Sequence, residues 1–344
     1  MPGATLPADM LAFVLEGYGG PERTRLQRVP VPRPGPGQLL VRVRAAGLNP
    51  VDFKIRLGQL RPVQRLALPI VMGNELAGEV VALGAGVQRF QAGASVFARL
   101  AKDQLGAFAQ YALVEQAHAA HMPATLDFAA AAALPLAGLT ALQALRDELH
   151  LAPGQRVFIS GGAGGVGSLA IQIAKHLGAE VATTASPRGE ALVRELGADQ
   201  VIDYTRQRPA DLLSGFDAAF DLIGGDTLRQ AFAIVRPGAT VVSVAGRPEP
   251  LTARQDLGRG LGLQALFWLA SWKERRQARR HGVRYRYLFM HASGSELAEL
   301  AQAVQAGKLR PVLDSSYPLE RIADAMAALE AGRAKGKIVV TMPA

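Results

Sequence analysis

The chain of 344 residues contains no cysteine, which excludes disulfides, thiolate nucleophiles and cysteine-ligated zinc and removes any need for an oxidising compartment. A reducing cytoplasm is the expected setting. Long apolar runs are missing too. No stretch approaches the roughly 20 residues that span a bilayer, and Met1 to Met10 lacks the charged start and apolar core of a secretory signal. A soluble protein without a membrane span is expected. Negative charge is in short supply: 29 acidic residues face 38 basic ones, for a formal charge of +9. Much of the excess is local, because Lys273, Arg275, Arg276, Arg279, Arg280, Arg284 and Arg286 share one short segment beside the apolar, aromatic stretch Leu261 to Trp272. That pairing admits a membrane surface or nucleic acid as partner. A solvated arginine face on a helix whose apolar side covers a pocket is the simpler account, and nucleic acid is not expected.

What is present is a glycine run, Gly161, Gly162, Ala163, Gly164, Gly165, Val166 and Gly167, set between a strand-like segment (Arg156 to Ser160) and a helix-like one (Ser168 to Leu177). Gly161, Gly164 and Gly167 fit a G-x-x-G-x-x-G form of the dinucleotide fingerprint. Without Cβ atoms the backbone turns tightly and approaches a pyrophosphate, which then meets free N–H groups at the positive end of the helix. Strands then alternate with helices: Val181 to Ala185, a helix around Glu190 to Leu196, and strands Val201 to Tyr204, Ala218 to Ile223 and Thr240 to Ala245. Such alternation implies parallel βαβ units and a doubly wound sheet, an α/β Rossmann fold.

The chain on either side reads differently. Pro30, Pro32, Pro34, Gly35, Pro36 and Gly37 mark a turn before the alternating strand Leu39 to Ala45, and short strands follow at Glu79 to Leu83, Ser95 to Ala98 and Phe108 to Val114. An alanine- and leucine-rich helical stretch, Ala129 to Leu149, leads into the glycine run. After it come a strand at Arg284 to Met290, an amphipathic helix at Ser295 to Ala306, a helix at Leu319 to Glu330 and a terminal strand at Lys337 to Thr341. The expected organisation is a β-rich catalytic domain over 1–128, a nucleotide-binding domain over 129–308 and a return over 309–344 whose last strand closes the first sheet.

Several ordered motifs cover nearly the whole length: Ala45-Ala46-Gly47-Leu48-Asn49-Pro50-Val51-Asp52-Phe53-Lys54, Gly73-Asn74-Glu75-Leu76-Ala77-Gly78-Glu79-Val80, Gly138-Leu139-Thr140, the glycine run, and Gly332-Arg333-Ala334-Lys335-Gly336-Lys337. With these the chain resembles the medium-chain dehydrogenase/reductase superfamily, within it the zinc-free quinone oxidoreductase group and the enone and alkenal reductases. The resemblance implies a GroES-like domain beside the Rossmann domain, and a homodimer. It departs from the zinc-dependent branch at Asn49, where those enzymes place a cysteine ligand, and at Asn74, where they place a histidine. A single glutamate cannot supply a tetrahedral zinc site. His118 and His121 stand three apart but lack further ligands, so no metal is expected.

The cofactor follows from another absence. NAD-selective units end the second strand with a carboxylate for the ribose hydroxyls, whereas this chain reads Thr183-Thr184-Ala185-Ser186-Pro187-Arg188. Ser186 and Arg188 suit a 2′-phosphate, and the resemblance implies that Tyr204 reaches the same group, so NADPH is the expected cofactor. An Arg188 that merely starts a surface helix is the bland alternative. The resemblance further implies Thr140 and Lys54 near the nicotinamide ribose, Gly224 beside the adenine, Val244, Ala245 and Gly246 after the next strand, Phe289 and Met290 against the nicotinamide, and Lys337 from the last motif.

For a quinone or an α,β-unsaturated carbonyl, hydride adds to carbon and charge develops on the carbonyl oxygen, where a hydrogen-bond donor lowers the barrier. Asn49 and Lys54 are the expected donors and Asp52 their orienting partner; an Asp52–Lys54 structural ion pair is the competing reading. Phe267, Trp268 and Trp272 are expected to form an apolar lid over the acceptor. An enoyl-thioester reductase, and a nucleotide-fold protein acting through nucleic acid or a protein partner, are the rival functions.

Overall fold

A computed structural model describes residues 6–343, so positions 1–5 of the leading segment and position 344 lie outside the described residues. It divides into two units, Met1–Leu139 with Ala292–Ala344, and Thr140–His291. The first opens with strands β1 (Asp9–Leu15), β2 (Thr24–Pro30) and β3 (Gln38–Gly47). Helix α1 (Pro50–Arg56) follows, then β4 (Ile70–Val71), β5 (Glu75–Leu83), β6 (Ser95–Arg99), β7 (Tyr111–Glu115) and β8 (Ala119–His121). Two short helices, α2 (Phe128–Ala132) and α3 (Pro135–Leu142), run to the boundary. β3 is the spine: it pairs antiparallel with β5 and β7, and its inward residues Leu39, Val41 and Val43 meet Leu76, Val80 and Val96 in a dry core. Burying one face of each alternating strand supplies the driving force.

The second unit is the doubly wound sheet. Its elements are β9 (Arg156–Ile159), α4 (Gly165–His176), β10 (Glu180–Ala185), α5 (Pro187–Glu195), β11 (Gln200–Asp203), α6 (Pro209–Leu212), β12 (Phe216–Asp221), α7 (Gly225–Ile234) and β13 (Val235–Ser243). α8 (Leu261–Ala270), α9 (Trp272–Arg280) and β14 (Arg284–Tyr287) complete it. All strands are parallel, in the order β11-β10-β9-β12-β13-β14. Strands covered on both faces need side chains apolar on both, and Val157, Phe158 and Ile159 of β9 are all buried.

The chain then returns through α10 (Gly294–Gln305), β15 (Leu313–Pro318), α11 (Ile322–Glu330) and β16 (Lys337–Thr341). β16 pairs antiparallel with β3, Val339 opposite Gly47, and β15 lies parallel to β16. The closing strand therefore stands where the sequence places it. The boundaries do not. The expected divisions after 128 and 308 fall after 139 and 291 instead; the second moves because α10, with its buried stripe Leu297, Leu300, Ala301 and Val304, packs onto β8 of the first unit. An amphipathic helix carries no sign of which sheet it will cover.

Candidate active site

In the second unit the glycine run forms a turn between β9 and α4 at the sheet's switch point. Gly161 has φ of +67°, a left-handed conformation, and a Cβ on Gly167 would run into the Gly161 carbonyl oxygen. The turn is held from below: Thr184 Oγ1 accepts the Gly161 N–H at 2.9 Å, and the Thr184 carbonyl accepts that of Gly162 at 3.0 Å. Gly164, the residue before α4, offers no side-chain cap. Its first-turn N–H groups, from Gly165, Val166 and Gly167, therefore stay available to an anion.

Strand register gathers the other expected nucleotide residues at the same edge. Ala185 stands opposite Asp203, so Ser186 and Tyr204 leave adjacent strands side by side. Ser186 is the residue before α5, yet its hydroxyl caps nothing, and Arg188 follows in the first turn, exposed, as is Tyr204. Asp221 likewise stands opposite Ser243, which brings Gly224 beside Val244, Ala245 and Gly246. The Asp221 carboxylate is buried and accepts from Ser243 Oγ at 2.7 Å, Ser160 Oγ at 3.1 Å and the Gly224 N–H at 3.0 Å. Burial pushes it above the usual carboxylate range despite those bonds. Asp221 was not among the expected residues; an aspartate ending a buried strand is the signal that marks it.

Thr140 lies buried on α3, and Phe289 and Met290 follow β14, half-buried. The backbone at Phe289 is held through Arg286, which overturns one expectation. Counted by sequence among a solvated arginine run, Arg286 is buried, with a bidentate bond to Glu148 (2.8 and 3.0 Å), contacts to Glu249 (3.3 Å) and Thr252 Oγ1 (3.1 Å), and a bond to Asp256. Burial works against its charge, but the hydrogen bonds it donates to Glu148 and Asp256, with their negative charges, outweigh it and hold the guanidinium above its ordinary pKa. Asp256 in turn accepts the Phe289 N–H at 2.9 Å. The expected lid does not form one face either: Phe267 is buried, whereas Trp268 and Trp272 lie at the surface with the guanidinium groups of Arg275 and Arg276 about 5 Å from their rings (5.0 and 5.1 Å).

In the first unit the motif that follows β3 builds a buried polar cluster. Pro50 opens α1 and Asp52, in its first turn, accepts the Asn49 N–H at 2.7 Å, which turns the carboxylate inward. Its other oxygen accepts from Asn74 Nδ2 at 2.7 Å. Lys337, at the start of β16, donates to Leu48 O (2.8 Å), Asn49 Oδ1 (2.6 Å) and Glu75 Oε1 (2.6 Å). Asn49 Nδ2 donates to that same Glu75 oxygen at 2.6 Å, and Glu75 Oε2 accepts the Leu136 N–H at 2.6 Å. Arg99 is buried nearby and donates to the Leu100 carbonyl; burial pulls its pKa down to about 10 against the favourable charges of Glu75 and Asp52. Burial likewise pushes Asp52 up to about 7, with Asn74, the Asn49 N–H and Lys337 opposing and Glu75 adding to the rise.

This arrangement corrects two expected roles. Asn49 is buried and its amide donates to Glu75 and, at 3.5 Å, to the Gly47 carbonyl, and the ammonium of Lys337 spends all three protons inside the cluster. Asp52 orients the Asn49 backbone but forms no ion pair with Lys54. Lys54, on the next turn of α1, is half-buried, has no hydrogen bond or ion pair with any described residue, and is drawn below the ordinary lysine pKa by burial. It remains the available donor of the motif.

Comparison with known proteins agrees with both units. Residues 35–124 match the model of the alcohol dehydrogenase GroES-like domain, and 196–340 that of the zinc-binding dehydrogenases. The chain is 36% identical over 348 residues to the NADPH-dependent alkenal/one oxidoreductase, chloroplastic, of Arabidopsis thaliana, covering 98% of this chain and 81% of that protein. It belongs to the medium-chain dehydrogenase/reductase family. The 2-methylene-furan-3-one reductase of Solanum lycopersicum is 34% identical over 98% of this chain and 80% of its own. The quinone oxidoreductase structure from Coxiella burnetii superposes with a TM-score of 0.84 at 31% identity, covering 97% of this chain and all of that one (100%).

Family membership raises two groups that the residues must be able to hold. Zinc does not fit. The cluster offers two amides, the Glu75 carboxylate already paired with an ammonium, and the Asp52 carboxylate already bonded to the Asn49 N–H and Asn74, whereas zinc wants thiolate, imidazole or free carboxylate. Among the described residues no three His, Asp or Glu side chains converge as a metal site, and His121 packs its ring against Phe90 at 4.9 Å. A nicotinamide dinucleotide does fit: the turn is so tight that a Cβ on Gly161, Gly162 or Gly167 would meet the protein's own atoms, and the first-turn N–H groups of α4 have no side-chain cap and suit a pyrophosphate.

Proposed function

We propose that the chain catalyses NADPH-dependent, metal-independent reduction of quinones and α,β-unsaturated carbonyls. The observation that carries this reading is a half-buried Lys54 with no hydrogen bond or ion pair to a described residue, on the helix that Asp52 caps, while Lys337 is spent on Leu48, Asn49 and Glu75. Such a site can stabilise charge on an oxygen without a Lewis acid, which an already electrophilic acceptor does not require. The names of relatives, an alkenal/one oxidoreductase and a furanone reductase among them, support the same substrate class.

The glycine turn and α4 would hold the pyrophosphate, with Ser186, Arg188 and Tyr204 around the 2′-phosphate and Gly224, Val244, Ala245 and Gly246 along the edge. When bound, the dinucleotide supplies hydride. Lys54 Nζ donates a hydrogen bond to the acceptor carbonyl and meets the enolate charge as it forms. Its lowered pKa makes it a stronger donor than a surface lysine. The α-carbon takes its proton from solvent. Asn49, Asp52 and Lys337 act on Lys54 by fixing the start of α1. A homodimer and a cytoplasmic setting are retained as the expected assembly and compartment.

The test is NADPH oxidation by the purified protein with 1,4-benzoquinone, a medium-chain alkenal or crotonyl-thioester, against a no-acceptor control. Turnover of the first two, undiminished by exhaustive chelation, is expected. Turnover confined to the thioester, or loss with EDTA restored by zinc, would overturn the proposal.

A further inference from the structure

α8 and α9 present a face that nothing in the second unit covers. The i→i+4 bonding runs through their junction, Ser271 N–H to Phe267 O at 2.9 Å and Arg275 N–H to Ser271 O at 3.0 Å, so the two keep one helical register. At 3.6 residues per turn, Leu261, Ala265, Trp268, Leu269 and Trp272 then fall within an arc of roughly 100°, and Arg276 and Arg279 extend the same arc. Phe267, Ser271 and Ala278 occupy the opposite, buried side. Surface helices usually bury their apolar stripe and expose the polar one. Here the apolar stripe is outside: Leu261 is 82% exposed, Leu269 67%, Trp268 50% and Trp272 43%.

The charge on this face is equally unmet. Lys273, Arg276, Arg279 and Arg280 are exposed, and none has an ion pair with a described residue. Elsewhere on the surface, helical arginines are matched within a turn, Arg194 by Glu190, Arg229 by Asp226 and Arg321 by Asp324. The single acid of α9, Glu274, turns instead toward Arg247 at 3.8 Å. An occupant of this face must therefore be apolar at one end and anionic at the other.

We propose that the exposed face of α8 and α9 docks on a leaflet of anionic phospholipid. Leucines and tryptophans enter the boundary between headgroups and acyl chains, while the arginines meet lipid phosphates and carry the rings stacked beneath them to the depth where tryptophan is most stable. A nucleic acid would satisfy the arginines but leave Leu261 and Leu269 in water. A two-fold copy would bring the same unpaired cations against themselves without adding an acid. The inference does not depend on which acceptor the enzyme reduces.

The chain has two tryptophans, Trp268 and Trp272, both on this face, so their fluorescence reports docking without a label. Vesicles of phosphatidylglycerol and phosphatidylcholine should shift the emission of the full-length protein to the blue and sediment it, brominated acyl chains should quench it, and pure phosphatidylcholine should do neither. Arg276→Glu with Arg279→Glu should cut partitioning by about 25-fold or more, taking about fivefold per cation, with benzoquinone turnover unchanged as the fold control. Leu261→Ser with Leu269→Ser should remove the quenching by brominated lipid. An unshifted spectrum with anionic vesicles at low salt overturns the proposal. So does a blue shift that grows with protein concentration alone, which would indicate a second copy, or one produced by RNA while brominated lipid leaves it untouched.

Discussion

Asp52 offers the sharpest test of how the buried cluster is built. Burial holds its folded pKa at about 7, against 3.8 for a solvated aspartate, a difference that corresponds to about 4 kcal/mol of differential stability. The sign follows from proton counting. Between pH 3.8 and 7 the folded chain holds a proton on Asp52 that the unfolded chain has released. Stability therefore falls as pH rises through that window, by up to about 1.4 kcal/mol per unit, and the full penalty is present above it.

Asp52→Asn removes the titration and keeps the shape. The new amide oxygen can take the Asn49 N–H, and its NH2 needs an acceptor where Asn74 Nδ2 now points. Asn74 has one in reserve: its Oδ1 is buried without a partner, and turning that amide supplies it. Urea unfolding equilibrated at a series of pH values, then pulse-labelled by hydrogen exchange at one fixed pH, reads the first unit directly through peptides from β3, β5 and β16. Relative to wild type, the variant should gain about 4 kcal/mol between pH 4 and pH 8. Parallel curves across that range would refute a protonated, burial-shifted Asp52.

Lys54→Met should lower kcat/KM for benzoquinone and alkenals by about 10²- to 10³-fold, the cost of one oxyanion donor, while NADPH affinity measured by titration stays constant; Lys54→Arg should recover part of the loss. Arg188→Ala should weaken NADPH binding by about 1.5–3 kcal/mol and leave NADH unchanged, and equal losses for both would reject the 2′-phosphate assignment. Arg286→Met strands Glu148, Glu249 and Asp256 around an apolar side chain and should cost about 3–5 kcal/mol in urea unfolding of the second unit. A loss within 1 kcal/mol would show that the carboxylates find water instead.

The parallel sheet was legible because its signals are local. Short β-branched runs, a glycine turn and intervening helices repeat along β9 to β13, and each element forms from neighbours in sequence. The closing strand β16 was legible for the same reason, its partner β3 being an equally plain alternating run. Arg286 was not. It lies six residues beyond the end of α9 in a run of like charges, and the carboxylates that pair with it sit 138, 37 and 30 positions away, at Glu148, Glu249 and Asp256. Asn49 failed similarly: its type suits a donor to substrate, but Glu75 and Lys337, which consume its amide, come from β5 and β16.

Those distant partners explain what replaces the zinc ligands in this branch of the family. At the two positions where the resemblance places a cysteine and a histidine, the chain carries Asn49 and Asn74, and two neutral amides could not by themselves neutralise Glu75 and Asp52 in a buried site. The structure answers with side-chain cations. The Lys337 ammonium lies 2.6 Å from both Glu75 Oε1 and Asn49 Oδ1, and Arg99 adds a second positive charge within reach of both carboxylates. Two buried anions against two buried cations leave the cluster neutral when all are charged, and a protonated Asp52 leaves it with one positive charge. A lysine bound this way cannot exchange, and it offers no open coordination position to a substrate. On the proposed reading, the work of meeting an oxyanion then passes to a group outside the cluster. Lys54, two residues beyond Asp52 on the helix that it anchors, is the cation of the motif that has no hydrogen bond or ion pair with a described residue.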